Sequence, residues 1–530
     1  MTAPVAPGPV PPRPVAPGPV RIGADLVEDF RAASRDENPL HVDPGYARGT
    51  SFGEPVVYGV LGALTALARL TPRPGQVPGR LAVRFPGPIL RDRDYRCEVA
   101  ADDPGGSRRA EVRLLYGAQP ALAVTVDFVP GTPDPELPPE APSTARTTAR
   151  AAGLADLHDG DPLPAGYQPR WPALAGLVDR LGLTARGFGP QQVAVLAWAS
   201  YLAGMEAPGR ASLLADITVD YRPGDGAGRF EARATIDRVH PRLRMLKLAG
   251  TVRSPALAAT ATVRVFHRPD VDASDVARLR ELVRKDGADA PAGARADGAP
   301  SGPGPLAGTT ALVVGASRGL GAALTQALAL AGAVVYAGFH RSSADAQTMR
   351  AALGDDAGRV HLVAGDAADP AWCRRVRDRI LSERGGLDVL ILNACPPPTK
   401  VPLADGSDGI AAAYIGTALG LVQTPLTVFA EPVARAGGSV VGVSTRWVAE
   451  PEAGWFPYVA AKTAAEGLVR AAAAEHRQAR WAVLRPGRLR TAFNATPMTA
   501  EIGEPVEPAA AAVVAHLTRP RAAGTFHVID

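Results

Sequence analysis

The chain has 530 residues, of which 46% are hydrophobic and 21% charged, with a net charge of +4. At ~100–200 residues per domain this length holds three or four folding units, and the apolar content excludes wholesale disorder. The excess of 57 basic over 53 acidic residues is small and spread along the chain. It suits an anionic cofactor and argues against a nucleic-acid partner, which needs a clustered basic face. Cys97, Cys373 and Cys395 form no CxxC pair, so neither a disulfide framework nor a metal site is expected.

In chain order, residues 1–20 are proline-rich and read as an extended tail. They lack the basic and apolar segments of a signal peptide, and no apolar run approaches the ~18 residues of a membrane span. A cytoplasmic protein without a membrane partner is expected. Within 21–150 a buried helix is predicted at 54–70, followed by strands at 79–90, 95–102, 108–117 and 121–129. Within 151–269 the pattern repeats, with a helix at 190–205 and strands at 211–222, 229–239, 243–253 and 257–269. The strands show partial period-two alternation with turn residues between them, as in a half-exposed antiparallel sheet. Residues 270–306 hold a short charged helix and then an Ala/Gly/Pro-rich run, which is linker composition. From 307 to 530 six short, continuously apolar β-runs alternate with Ala/Leu-rich helical stretches. That pattern belongs to a parallel sheet covered on both faces.

The third region carries chemistry. GASRGLG at 315–321 joins the first β-run to a helix. Glycines at 315, 319 and 321 permit a tight turn and close approach of backbone to phosphate, and the helix start offers unpaired N–H groups. Tyr458 and Lys462 lie one helical turn apart, so both point the same way. An ammonium beside a phenol favours phenolate and so lowers the phenol pKa. Thr445 stands thirteen residues before Tyr458, after the run GSVVGVS. Its hydroxyl can bond a carbonyl. With LNAC (392–395) and LRPGRLRT (484–491), this constellation resembles the short-chain dehydrogenase/reductase family, and a 3-oxoacyl-thioester reductase in particular.

The resemblance implies that Tyr458 protonates a ketone oxygen, Lys462 holds the nicotinamide ribose and Thr445 takes the place of the usual serine, with the adjacent Ser444 as second candidate. It implies a cofactor site of Gly315, Ser317, Arg318, Gly319, Leu320, Gly321, Asn393, Ala394, Pro486 and Gly487, with Asp366 at the adenine. Two positions depart from the family pattern. NAG becomes NAC followed by three prolines, and Tyr414 stands where a proton-relay asparagine is usual. The second β-run ends in His340 and Arg341 with no acid, and Arg318 sits in the glycine turn. Two cations without a carboxylate favour the 2′-phosphate of NADPH over the free hydroxyl of NADH. Trp447, Trp455 and Phe456 flank the Thr445–Tyr458 segment as either pocket lining or packing.

A second site lies near the N-terminus. In RDENPLHVDPGYA (35–47) the Asn-Pro pair stops the helix, so Asp36 and His41 can converge from a loop. A carboxylate and an imidazole sharing one site can shuttle the protons of water addition or removal. Asp43 reads as a capping group. The segment resembles the MaoC-like (R)-specific enoyl-CoA hydratases through Asp36, Asn38, Pro39, His41, Asp43, Phe52, Gly53 and Gly59, with Tyr58 where a histidine is usual. It implies that Asp36 and His41 form the catalytic pair and that the Gly59 N–H stabilises an oxyanion. The helix-plus-meander repeat looks like two hotdog folds in tandem, the second a structural partner. The expected fold is therefore an α+β double hotdog followed by an α/β, Rossmann-like, doubly wound parallel sheet.

Together the resemblances imply a bifunctional enzyme that reduces a 3-oxoacyl thioester with NADPH and dehydrates the product to the 2-enoyl thioester. The acyl group would ride on carrier protein or CoA, and family habit implies self-association. Two alternatives stand beside it: a reductase with a silent hotdog half, and an inert scaffold that docks acyl carriers.

Overall fold

The computed structural model describes residues 18–530 except 101, 103–107, 140, 225–227, 270, 272, 289–303, 498 and 500–501. Most of the proline-rich tail and the Ala/Gly/Pro-rich run lie outside the described residues. The chain divides into two compact units, one running through Val42 and from Val56 to His267, the other made of Asp43–Pro55 and Arg268–Asp530.

The first unit holds β1 (Gln76–Arg84), β2 (Arg96–Ala100), β3 (Arg109–Tyr116), β4 (Gln119–Pro130), β5 (Ser212–Pro223), β6 (Glu231–His240), β7 (Met245–Arg253) and β8 (Leu257–His267). They form one sheet in the order β2-β3-β4-β1-β5-β8-β7-β6. Each half has the same topology, and the halves meet where β1 pairs antiparallel with β5, Leu81 opposite Val219 and Val83 opposite Ile217. Alternation drives this arrangement. Leu122, Val124, Val126 and Phe128 of β4 turn inward, while Thr125 and Asp127 between them are only half-buried.

The inward face of each half packs on a helix, Gly59–Leu67 or Pro190–Tyr201. All twelve residues of the second helix are buried. Burying a Val or Leu side chain is worth about 1.5–3 kcal/mol, so these helices anchor the unit. The first helix starts at Gly59 rather than at 54, because Val56 bridges to Leu90 in extended backbone. The second runs on into a π-helical turn, Leu202–Glu206.

The second unit is a parallel sheet of β9 (Thr310–Val314), β10 (Val334–Phe339), β11 (Val360–Ala364), β12 (Val389–Leu392), β13 (Ser439–Val443), β14 (Arg480–Leu484) and β15 (Phe526–Ile529). Six strands follow from the apolar runs. β15 is an addition near the chain end. The order is β11-β10-β9-β12-β13-β14-β15. One face packs on a core containing Leu324, Ala327 and Val513, the other on Trp372, Phe429 and Trp481. The helix Val276–Ala288 lies against helices Gly319–Leu330 and Val506–Thr518, with Leu279 and Val283 buried. Its charged sequence therefore hides an apolar stripe that docks it.

The helix Asp408–Arg435 corrects one expectation. It is long and apolar enough to cross a membrane by length and composition. Here its stripe of Val422, Leu426, Phe429 and Val433 packs into the core of the sheet.

Candidate active site

Strand order reverses between β9 and β12, which opens a crevice at their C-terminal ends. The glycine-rich turn fills that crevice. Gly315 has φ 86°, and a Cβ there would lie 2.7 Å from the backbone of Ala394. A Cβ on Gly321 would lie 1.9 Å from the Gly315 carbonyl oxygen. Asn393 donates from Nδ2 to that same oxygen at 2.7 Å, tying the turn to the end of β12. The turn is thus a cradle that side chains would block. Arg318 stands in it with Nη1 buried and without a hydrogen-bond partner, its guanidinium 5.3 Å over the Phe493 ring. Burial pulls the Arg318 pKa below its usual value, against the pull of Asp345. A half-buried cation with one unpaired guanidinium nitrogen beside a glycine cradle fits a dinucleotide phosphate.

The other predicted cofactor residues divide. Gly319, Leu320, Asn393, Pro486 and Gly487 line a cavity of about 340 Å³, and Ser317 is half-buried in the turn that leads to it. Arg341 is exposed just past β10. Asp366 follows β11 and accepts from the Ala368 N–H at 2.9 Å.

The same cavity is lined by Thr445, Tyr458 and Lys462. Tyr458 and Lys462 come from the helix Phe456–Glu475, and Thr445 from the turn after β13. The ammonium lies 5.9 Å from the Tyr458 ring centroid and donates to the Val443 carbonyl at 2.8 Å. The expected lowering of the phenol pKa does not hold in this arrangement. Burial pushes Tyr458 well above its ordinary value, nearby Cys395 adds to it, and the Thr445 hydroxyl opposes. Desolvation dominates, so the phenol holds its proton.

Ser444 lines the same cavity. Its hydroxyl is buried and donates to Glu466 at 2.6 Å, and Arg485 clamps the same carboxylate at 2.8 and 2.6 Å. Thr445 is the hydroxyl associated with Tyr458. Tyr414 donates to the Pro396 carbonyl at 3.4 Å and lies 3.7 Å from Cys395 Sγ. Trp447 and Trp455 line the cavity, whereas Phe456 is not among its lining residues.

In the first unit Asp36 is 1% exposed. Its carboxylate accepts from Ser200 Oγ at 2.8 Å and from the Asn38 N–H at 3.1 Å. Burial pushes its pKa up to about 7, against those two bonds. His41 Nδ1 lies 2.9 Å from the Val56 carbonyl, so Nδ1 carries the proton and Nε2 keeps the lone pair. Burial pushes its pKa down to about 4. Among the described residues no direct Asp36–His41 hydrogen bond forms. Tyr58 links the two instead, donating to the Asp36 carbonyl at 2.6 Å and packing its ring 4.0 Å from the imidazole. Gly59 is the first residue of its helix, and nothing among the described residues accepts from its N–H. His41 lies on a one-turn helix, Pro39–Val42, rather than in the expected loop, because Pro39 opens a helix instead of stopping one; Asp43 caps the short helix Pro44–Arg48, accepting from Gly45 N–H at 2.7 Å.

Comparison with known proteins follows this division. The short chain dehydrogenase family model matches residues 309–502 and the MaoC like domain model residues 6–115. Human dehydrogenase/reductase SDR family member 4 is 30% identical over 200 residues, covering 36% of this chain and 69% of that protein. The chain belongs to the short-chain dehydrogenase family. An uncharacterized oxidoreductase of Mycobacterium tuberculosis is 31% identical over 238 residues, 41% of this chain and 86% of that protein. A granaticin polyketide synthase protein of Streptomyces violaceoruber, named for ketoacyl reduction, is 36% identical over 154 residues, 28% of this chain and 59% of that protein. A short chain dehydrogenase from Burkholderia cenocepacia, solved in complex with NADP, is 28% identical with a TM-score of 0.38, over 42% of this chain and 97% of that one. This dehydrogenase therefore carries a MaoC-like domain ahead of an oxidoreductase unit, and a nicotinamide cofactor goes with its family and its glycine cradle.

Three participants in these sites escape the sequence reading. Ser200 holds Asp36 across 164 residues of chain. Glu466 organises Ser444 and Arg485. Phe493 supports Arg318. The first two had a signal, since a polar side chain in a helix face meant for burial must have a partner.

Proposed function

We propose that this short-chain dehydrogenase reduces a 3-oxoacyl thioester with NADPH and then removes water from the 3-hydroxyacyl thioester, in polyketide or fatty-acyl assembly. The supporting observation is the gathering of Tyr458, Thr445 and Lys462 with the glycine turn around one cavity. NADPH, when bound, supplies hydride to the ketone carbon. Tyr458 gives its phenolic proton to the ketone oxygen, and the Thr445 hydroxyl steadies that oxygen. Lys462, steered by the Val443 carbonyl, is placed to hold the ribose. Arg318 would pair with the 2′-phosphate.

Dehydration would use groups whose pKa values are driven apart, the usual mark of an acid and a base in one site. Asp36, raised to about 7, gives a proton to the departing hydroxyl. His41, lowered to about 4 and therefore neutral, takes the C2 proton on Nε2. The Gly59 N–H meets the thioester oxygen. A relative named for ketoacyl reduction in a polyketide synthase supports the setting. One observation favours the alternative of a silent hotdog half: the Asp36 carboxylate is already satisfied by Ser200 and Asn38.

A single incubation with 3-oxoacyl thioester and NADPH, read by mass spectrometry, separates these readings. The 2-enoyl product supports the bifunctional reading, and 3-hydroxy product alone supports the silent half. Tyr458→Phe should lower reduction about 10²–10⁴-fold, the worth of a positioned acid. Undiminished turnover in that variant would refute the assignment.

A further inference from the structure

Two indoles stand beside Tyr458. Trp447 packs on Trp455 with ring centroids 5.5 Å apart and meets Tyr458 edge-on at 5.9 Å. Arg488 lies 5.8 Å over the Trp447 ring and is itself held by Glu452 at 3.0 Å. The Trp447 backbone N–H donates to Thr445 Oγ1 at 3.4 Å, tying the turn that carries the indole to Thr445. Rings used only for packing are covered, as Trp198 and Trp481 are at 2% and 0% exposure. Trp447 and Trp455 are only half-buried, and both face the cavity together with Phe493.

Aromatic walls already held in place add ring–ring attraction without an ordering cost.

We propose that Trp447 and Trp455 select acyl thioesters that carry a planar ring on the ketone carbon. The inference rests on the reductase reading of this site. It is tested on the full chain with two nine-carbon substrates, the N-acetylcysteamine thioesters of 3-oxo-3-phenylpropanoic and 3-oxononanoic acid. With NADPH, kcat/KM should favour the phenyl compound by about tenfold or more, the worth of two ring contacts. Trp447→Leu should erase most of that ratio, and Trp447→Phe should keep much of it. Equilibrium binding of both thioesters without NADPH, taken as the difference between the native chain and Trp447→Leu, gives a readout free of turnover. Equal or alkyl-favouring binding or turnover in the native chain overturns the inference, whether or not a variant folds. Phenyl-favouring binding with neither thioester reduced upholds the ring selection and refutes the reductase reading instead.

Discussion

Replacing Asp36 by asparagine probes the electrostatics of the hotdog site without relying on turnover. Burial raises the Asp36 carboxyl from 3.8 to about 7, although Ser200 and Asn38 both favour the charged form. An acid that holds its proton more tightly when folded stabilises the fold at low pH. That contribution is complete below the unfolded value of 3.8 and is lost as pH rises through about 7. The change in proton affinity is roughly a thousandfold, which at about 1.4 kcal/mol per tenfold costs up to roughly 4 kcal/mol. Asparagine keeps the shape, can accept from the Asn38 N–H on its one oxygen and donate from its amide to the Ser200 hydroxyl, which can also accept, but cannot ionise. Between about pH 4 and pH 7 the native chain should therefore lose several kcal/mol of local stability that the Asp36→Asn variant retains. Hydrogen exchange in the Pro190–Tyr201 helix, compared between native chain and variant at the same pH, reads this directly because intrinsic exchange rates cancel. The variant should be the better protected at the higher pH. Equal protection there, or a less protected variant, would refute the claim that a desolvated carboxyl sits at this position. The variant should also stop water loss while sparing NADPH oxidation.

Three further outcomes test the second unit. Arg318→Gln should raise KM for NADPH by about 10–100-fold, the worth of a charge-assisted bond, and leave NADH untouched; equal effects on both cofactors would show that Arg318 does not meet the 2′-phosphate. Gly321→Ala puts a methyl 1.9 Å from the Gly315 carbonyl; it should cost about 1–3 kcal/mol and abolish nucleotide binding, measured by cofactor fluorescence. Glu466 is held below the usual carboxylate range because Arg485 and Ser444 outweigh the opposing effect of burial. Its contribution is present above the unfolded value of 4.5 and is lost as pH falls through the depressed one. Glu466→Gln should cost about 1–3 kcal/mol at neutral pH and blunt the acid sensitivity of the second unit in denaturant titrations.

What the sequence made legible was governed by local rules. Period-two alternation marks all eight strands of the first unit, and continuous apolar runs mark six of the seven in the second. β15 was missed because Phe526–Ile529 holds a histidine and lies at the sheet edge, where one flank is open. The Tyr458/Lys462 pair is readable because one helical turn fixes its geometry. What was not readable depends on distance through space. Spacing alone does not show that Glu466, twenty-two residues away, accepts from the Ser444 hydroxyl and leaves that of Thr445 alone. The phenol pKa was misjudged for a related reason. The lysine is visible in the sequence, but the depth of burial that dominates the phenol is not.

The β1–β5 seam has a consequence of its own. Two hotdog halves zipped into one sheet form a pair that cannot come apart on dilution, since no second chain is needed to complete it. Ser200 therefore keeps its grip on Asp36 at any protein concentration. The two halves are also free to differ: one can carry the reactive loop while its twin serves only as wall and clamp.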